Sequence, residues 1–498
     1  MSALFTIAPT RPFVDALAAG LIAEAEAGPG GLESLADGLV LLPTRRACRA
    51  LREAFLRASG GRALLLPRMQ PIGDVDEEDL LLAASGDPAA AGAELLDLPP
   101  AIPPMRRRFL LARLILQLPD LGGIEERPSP DRALMLADEL ARLLDQIQTE
   151  GLSLEAVEGL VPDRYADHWQ VTVEFLGILR THWPEILAAI GALDPADRRN
   201  RLIAAQAEAW RREPPAFRIT AAGSTGSIPA TADLLACVSG LPTGRVVLPG
   251  LDRHLSAEDW TAVEADPAHP QHGLARLLAH LGTTREAVAD WPGGEPDPAR
   301  AARARLVAEA MRPAETTGAW RRAGEADRLP AESTDGLAWL EAPSAAAEAG
   351  AIALALREAL ETDGATAALV TPDRNLARRV SAALARWGVA VDDSAGRPLA
   401  ETPAGIFFRL VAEVALSGFA PVALLGLLKH PLAALGLAPA ALRREVRHLE
   451  RAILRGPKPG PGAAGLRAKL AEAEGDRFKR DWLASDRVEA LIARIETA

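Results

Sequence analysis

The chain has 498 residues, 49% of them apolar and 24% charged, with a formal net charge of −12. That length predicts three or four domains with cores of their own, and the acidic balance excludes a surface coated in basic charge, so any polyanion must be gripped by local patches. Two cysteines, Cys48 and Cys237, exclude a disulfide framework and a four-thiolate metal or iron–sulfur site within these residues. The opening MSALFTIAPTRPF lacks a basic stretch followed by a long apolar one, and no uncharged apolar run reaches about eighteen residues, so neither export nor membrane insertion is expected and a cytoplasmic location is. Of the 55 basic residues only Lys429, Lys458, Lys469 and Lys479 are lysine. Residues 1–428 therefore cannot complete G-x-x-x-x-G-K-[ST], whose ammonium group reaches the β- and γ-phosphates of a bound nucleotide.

In chain order, LFTIA (4–8) predicts a short buried strand and PFVDALAAGLIAEAEA a helix with apolar residues at helical spacing. GLVLLPTRRACRALREAFLRA repeats the arrangement: Leu39 to Leu42 form the strand, Pro43-Thr44 the turn, and Thr44 caps a helix running to about Ala58. ALLLP (63–67) predicts another strand, with the acidic stretch GDVDEEDLLLA after it. Residues 101–200 carry only helical stripes, in RRRFLLARLILQL, ALMLADELARLLDQIQTE and WQVTVEFLGILRTHWPEILAAIGALD, and predict a helical insertion. Alternation returns in FRITAAGSTGSIPATADLLACVSGL and GRVVLPGLD, so 1–100 and 201–292 are expected to build one α/β domain around the insertion. Residues 293–335 read as a linker containing one helix. Over 336–418, the strands GLAWLEA, TAALVTP and VAVDDSAG separated by two helices predict a second parallel sheet with right-handed crossovers. Residues 419–498 read as helical, interrupted by RGPKPGPGAAG; the chain stops at IETA without a closing element, and a continuation is expected.

Specific segments sharpen this α/β outline. The stretch from LEAPSAAAEAG to VAVDDSAG resembles the second motor domain of superfamily 1 helicases, and GFAPVALLGLLKHPL resembles the segment that follows it in the RecB and AddB branch. With LLPTRRACRALREAFL, ALLLPRMQPIGDVDEEDLL, AAGSTGSIPATADLL and SAGRPLAETPAG in the same order, the whole chain is similar to the helicase-like part of AddB-type subunits of AddAB helicase–nucleases, of the alphaproteobacterial kind. The resemblance implies two RecA-like parallel-sheet domains, the first interrupted by helices. It implies two partners, an AddA-type subunit that supplies the ATP-driven motor in a heterodimer and single-stranded or unwinding double-stranded DNA, in a complex that resects double-strand breaks while the AddB side scans the passing strand. The family's iron–sulfur cluster and nuclease Mg²⁺ would belong to a C-terminal part outside this chain, so no cofactor is expected in these residues.

The residues limit that picture. The resemblance assigns the triphosphate to the first strand-turn-helix, where Ala8-Pro9-Thr10-Arg11-Pro12 has no glycine to bring amides against phosphate and two prolines without an N–H. It puts the metal-holding acids after FRITAAGST, where Ala222, Gly223 and Ser224 stand and no carboxylate comes before Asp233. The fold is expected without ATPase chemistry. Motor domains of this class hold single-stranded DNA with hydroxyls, amides and arginines on the loops after the strands. By resemblance the DNA contacts are Thr44, Arg45, Arg46 and Arg49, with Arg52 continuing the face; Thr371, Arg374 and Arg378 beside Asp373; and Ser224 and Thr225, which with Ser227 are also expected to cap a helix. The competing reading makes Thr44 and Asp373 plain helix caps, the arginines a solvated face, and the whole chain a scaffold for AddA that touches no DNA.

A third reading takes Gly223 to Ser227 as the phosphate-binding turn of an NADPH-binding reductase, although Pro229 stands where a third glycine would allow close helix packing. His254, His269 and His272 lack zinc spacing and read as loop residues. Asp392 and Asp393, neighbours pointing to opposite faces of a strand, read as the start of the turn before SAG, and Ser394 has no attendant base. Trp169, Trp183 and Trp387 lie in apolar periodic stretches and are expected in cores.

Overall fold

A computed structural model of the chain describes residues 3–72, 98–117, 128–153, 177, 180–293, 298–322, 329–475 and 483–497. They divide into two compact units, Met1–Ala338 and Trp339–Ala498. The acidic stretch after ALLLP and Trp169 lie outside the described residues. No described helix is long and apolar enough to cross a membrane.

The first unit is built on a parallel sheet of β1 (Leu4–Ile7), β2 (Leu39–Leu42), β3 (Arg68–Pro71), β4 (Ile219–Ala222), β5 (Gly244–Pro249) and β6 (Ala289–Asp290), in the order β3-β2-β4-β5-β1-β6. β1 thus lies between β5 and β6, and the connection from β1 to β2 passes over two strands. Period-two alternation decides which side chain meets which layer. Leu39 and Leu41 face a core shared with Val246 and Leu248, while Val40 and Leu42 face the opposite core with Ile7 and Val247. Both faces are apolar because helices cover both, as parallel sheets require. On one side lie α1 (Phe13–Ala27) and α2 (Arg45–Ala58); on the other lie α5 (Pro195–Arg212), α6 (Pro229–Gly240) and α8 (His272–His280).

The indole of Trp291 is buried against α1, donating from Nε1 to the Ala16 carbonyl at 3.1 Å and meeting the Phe5 ring edge-on at 5.3 Å. Gly20 makes this possible: a Cβ there would sit 2.2 Å from the indole nitrogen.

Within the span expected as a helical insertion, the described residues form α3 (Pro104–Gln117), α4 (Pro130–Thr149) and a helix over 180–189 around their own core. α5 straddles its expected end, since Ile203 and Ala207 belong to the sheet core. Arg107 bridges Asp145 and the fully buried Asp194, which also accepts from the indole of Trp183 and the amide of Gln148. Trp183 is a core residue, as expected.

Two expectations for this unit need correction. ALLLP is irregular, and β3 begins one residue beyond it. Pro67 has no amide to donate, so the ladder starts with Arg68 N–H on the Gly38 carbonyl and ends with Ile72 N–H on that of Leu42. Residues 293–335, expected as a linker containing one helix, belong to the first compact unit and pack on it where they are described. Their helix α9 (Pro298–Ala310) packs Ala308 against Leu255, Val263 and Ala275, and Arg312 just beyond it pairs with buried Asp259, the N3 residue of a capping box at α7 (Ala257–Ala265). Burial alone would raise the Asp259 carboxyl, but hydrogen bonds from Ser256 and Thr316 and the Arg312 charge outweigh it and hold it below its ordinary value.

In the second unit α11 (Ala345–Leu360) and α12 (Arg374–Ala385) pack through Ala349, Ala353, Val380 and Leu384. The three strands predicted around them are not formed among the described residues. β-branched, apolar runs favour a pleated surface only when neighbouring strands supply hydrogen bonds and cover. Here Trp339 and Val370 remain 88% and 94% exposed. Trp387 is likewise not a core residue: it is 41% exposed, with the Arg357 guanidinium 5.0 Å from its ring centre. Inside the segment expected as the second sheet domain lies a further helix, α13 (Pro403–Leu416); from Phe419 on, the described residues form α14 (Pro421–Leu428), α15 (Pro439–Leu449) with a π turn at Glu450–Leu454, α16 (Gly462–Glu474) and α17 (Ser485–Thr497), and all five helices share one apolar core.

Candidate nucleic-acid interface

The adjacency of β2 and β4, with Leu41 opposite Ala221, brings two predicted segments to one sheet edge. At the carboxyl end of β2 stands Pro43-Thr44, and at that of β4 Gly223-Ser224; a Cβ on Gly223 would lie 3.6 Å from Pro43 Cδ. Thr44, Arg45, Arg46 and Arg49 therefore share an edge with Ser224 and Thr225.

Thr44 is the N-cap of α2, its hydroxyl accepting from the Ala47 amide at 3.1 Å. The helix opens on Arg45-Arg46 with no acid in its first turn. Helix N-termini carry partial positive charge and favour carboxylates, so cations there oppose local stability. Their effect is to add guanidinium charge to the helix dipole at the sheet edge. The buried Cys48, Leu51, Ala54 and Phe55 turn Arg45, Arg46, Arg49 and Arg52 outward. No hydrogen bond or ion pair reaches Arg49 or Arg52 among the described residues. Arg57, further along, is held by Asp15.

Ser224 and Thr225 do different work from that expected. The Ser224 hydroxyl accepts from Gly226 N–H at 3.2 Å, closing a local turn, and α6 is capped by Ile228 with Pro229 behind it and no side-chain cap. Ser224, Thr225 and Ser227 are thus not caps, because Pro229 at the first helical position already removes one amide that a cap would satisfy. The turn is packed on α8, with Gly226 at φ +61 against Leu277 and Thr225 against Gly273. The phosphate cradle of a reductase needs free amides at this turn, yet the Gly223 amide bonds the Val247 carbonyl and that of Gly226 bonds Ser224. The strand order also differs from the common dinucleotide-binding order 3-2-1-4-5-6, in which the glycine-rich turn follows the first strand of the sheet, whereas this turn follows β4.

In the second unit, Thr371 accepts from the Asp373 amide at 3.0 Å, and Asp373 caps α12 by accepting from Asn375 N–H at 2.7 Å. Arg374 grips Asp393 through both terminal nitrogens, at 2.9 and 2.8 Å, which raises its own affinity for the proton. Asp393 also accepts from the Ala395 amide and so begins the turn before SAG, as expected. Arg378 donates to Asn375 Oδ1 at 2.9 Å. This cluster has side-chain partners within its own chain.

A cavity of about 880 Å³ opens at the carboxyl ends of β1 and β5, the place where open α/β sheets hold ligands. Its guanidiniums are occupied by main-chain carbonyls: Arg11 donates to Trp291 at 3.0 Å, Arg300 to Thr10 at 3.3 Å, Arg303 to Ser333 at 2.6 Å, and Arg253 to Val288. Four carboxylates, Asp252, Asp290, Glu332 and Asp335, offset those four charges. Asp233, the first acid after β4, pairs with His280 at 2.9 Å. No group of three or more His, Cys, Asp or Glu among the described residues is arranged to hold a metal ion.

His269 is buried, with Nε2 2.8 Å from the Met311 carbonyl, and His272 Nδ1 lies 3.0 Å from that of Val263. Both hold elements together. Sequence reasoning missed the cavity arginines because their partners are main-chain carbonyls up to 290 residues away, which leave no side-chain signal.

No family model matches the sequence, and no curated protein matches it.

Proposed function

We propose that this chain is the non-motor, helicase-like part of an AddB-type subunit, holding single-stranded DNA and an AddA-type partner while a broken end is resected for recombination. The parallel sheet of the first unit and the helices on its two faces are its first RecA-like domain; α11 and α12 stand in the place of the second, whose expected strands are not formed among the described residues. One observation carries the reading: α2 begins on exposed Arg45-Arg46 at the same sheet edge as Ser224 and Thr225, so guanidiniums and hydroxyls stand together on the loops after two adjacent strands, where a DNA backbone would pass. The cavity supports the non-motor part of the proposal, since the four carboxylates that line it offset its four guanidiniums and oppose a triphosphate's charge.

The pairing of Arg374 with Asp393 favours the scaffold reading for the second unit. The two readings make different demands on the α2 edge. Fluorescence titration of a labelled single strand, with and without Mg²⁺·ATP, tests the proposal. Binding that ignores the nucleotide is expected, whereas no binding would favour the scaffold, and ATP turnover by the purified chain would refute the non-motor assignment.

A further inference from the structure

One wall of the cavity at the carboxyl ends of β1 and β5 is α9, which contributes Arg300, Arg303 and Val307 to the lining. This helix is thinly packed. Its buried side chains are those of Ala302 and Ala308, single methyl groups, where α6 and α8 of the same unit bury leucines. Polar latches supply the rest of its hold. Just beyond its end Arg312 reaches Asp259 and Glu309, and the Met311 carbonyl lies 2.8 Å from His269 Nε2. Elements with few apolar contacts are the ones that open locally while the rest of a domain stays folded.

The partners of His269 fix its protonation. A carbonyl can only accept, so Nε2 carries a hydrogen, whereas Nδ1 accepts the Gln271 N–H at 3.1 Å and carries none. Both ring nitrogens are satisfied in this neutral tautomer alone. A second proton on Nδ1 would set two hydrogens against each other inside a site that is 8% exposed. No carboxylate among the described residues stands within ion-pair reach of the ring to offset the new charge. Of the acids on the elements packed around it, Asp266 accepts from the Ala268 amide, and Asp259 and Glu309 hold Arg312. His272 differs: Nδ1 donates to the Val263 carbonyl and Nε2 has no partner among the described residues, so a second proton costs it no bond.

We propose that α9 is a proton-released strap, which walls the cavity while His269 is neutral and loosens from it when the imidazole takes a second proton. Because the neutral form holds, the latch is present at high pH and is lost as pH falls through the range, about 5 to 8, in which imidazoles change charge. The Arg312–Asp259 pair does not respond there. Burial alone would raise the Asp259 carboxyl, but bonds from Ser256 and Thr316 keep it below its ordinary value, so it stays charged. The inference does not depend on the nucleic-acid reading.

Hydrogen–deuterium exchange of the full chain, followed by mass spectrometry from about pH 7.5 to about pH 5.5 and corrected for the intrinsic pH dependence of exchange, tests this. The amides of α9 are expected to lose protection on the order of tenfold, the effect of about one buried hydrogen bond, while those of β2 and α6 keep theirs. His269→Gln offers the same donor and acceptor without titrating and should hold α9 at both pH values. His272→Gln should respond as wild type does. Unchanged α9 protection in wild type would overturn the proposal. So would an equal loss in His269→Gln, a response abolished by His272→Gln, or a loss spread evenly over β2 and α6.

Discussion

Arg374 and Asp393 face each other across the start of α12 in a two-nitrogen, two-oxygen fork, with bonds of 2.9 and 2.8 Å. With a further bond from Arg374 to the Gly396 carbonyl at 3.3 Å, the guanidinium spends three of its five donors on its own chain and has its charge offset at close range. Replacing Asp393 with alanine should release it. The variant is expected to bind single-stranded DNA with a salt slope about 0.7 steeper than wild type, the contribution of one phosphate on a single strand. An unchanged slope, read by anisotropy, would mean that Arg374 does not reach the DNA.

The contact of Gly20 with Trp291 predicts a measurable cost in the first unit. Alanine in mid-helix normally gains up to about 1 kcal/mol over glycine. Here the new methyl would meet the indole nitrogen at 2.2 Å and displace its bond to the Ala16 carbonyl. Overpacking of this kind costs about 1–3 kcal/mol, and stranding a buried donor a similar amount, so Gly20→Ala should be net destabilising by about 1–3 kcal/mol. Urea denaturation of Gly20→Ala, Trp291→Phe and the double variant checks this. Strong coupling between the two sites is expected, and additive effects would count against the contact.

Acid should weaken the second unit through Glu445. Its ordinary carboxyl value is near 4.5, and the hydrogen-bonded Arg487 guanidinium lowers it in the folded state. A carboxyl depressed by folding contributes stability that is fully present above its unfolded value and lost as pH falls through its folded one. Wild type should therefore lose stability below about pH 4.5 more steeply than Arg487→Met. Parallel acid limbs in thermal melts of the two proteins would exclude this contribution.

The sequence made the first unit legible where strands are buried on both faces, as in Leu39 to Leu42, because a four-residue apolar run between turn signals is too short for a helix and here finds a partner on each side. Thr44 was readable as a cap from its place before a helical stripe, and the helical core of the second unit from its periodic apolar residues. The segments around α11 and α12 had the same local signal as true strands but lack partners among the described residues, and partners are not a local property. Ser224 and Thr225 were placed at the correct edge but given the wrong task, since Ser224 closes on Gly226 instead of capping the helix.

The most direct test of the central claim is the salt dependence of single-stranded DNA binding by wild type and by Arg45→Ala/Arg46→Ala/Arg49→Ala. A chain that holds the strand at the α2 edge should lose about 2 from its slope, about 0.7 for each phosphate contact removed, and bind markedly more weakly at low salt. Identical affinity and slope in a variant that melts like wild type would contradict the account.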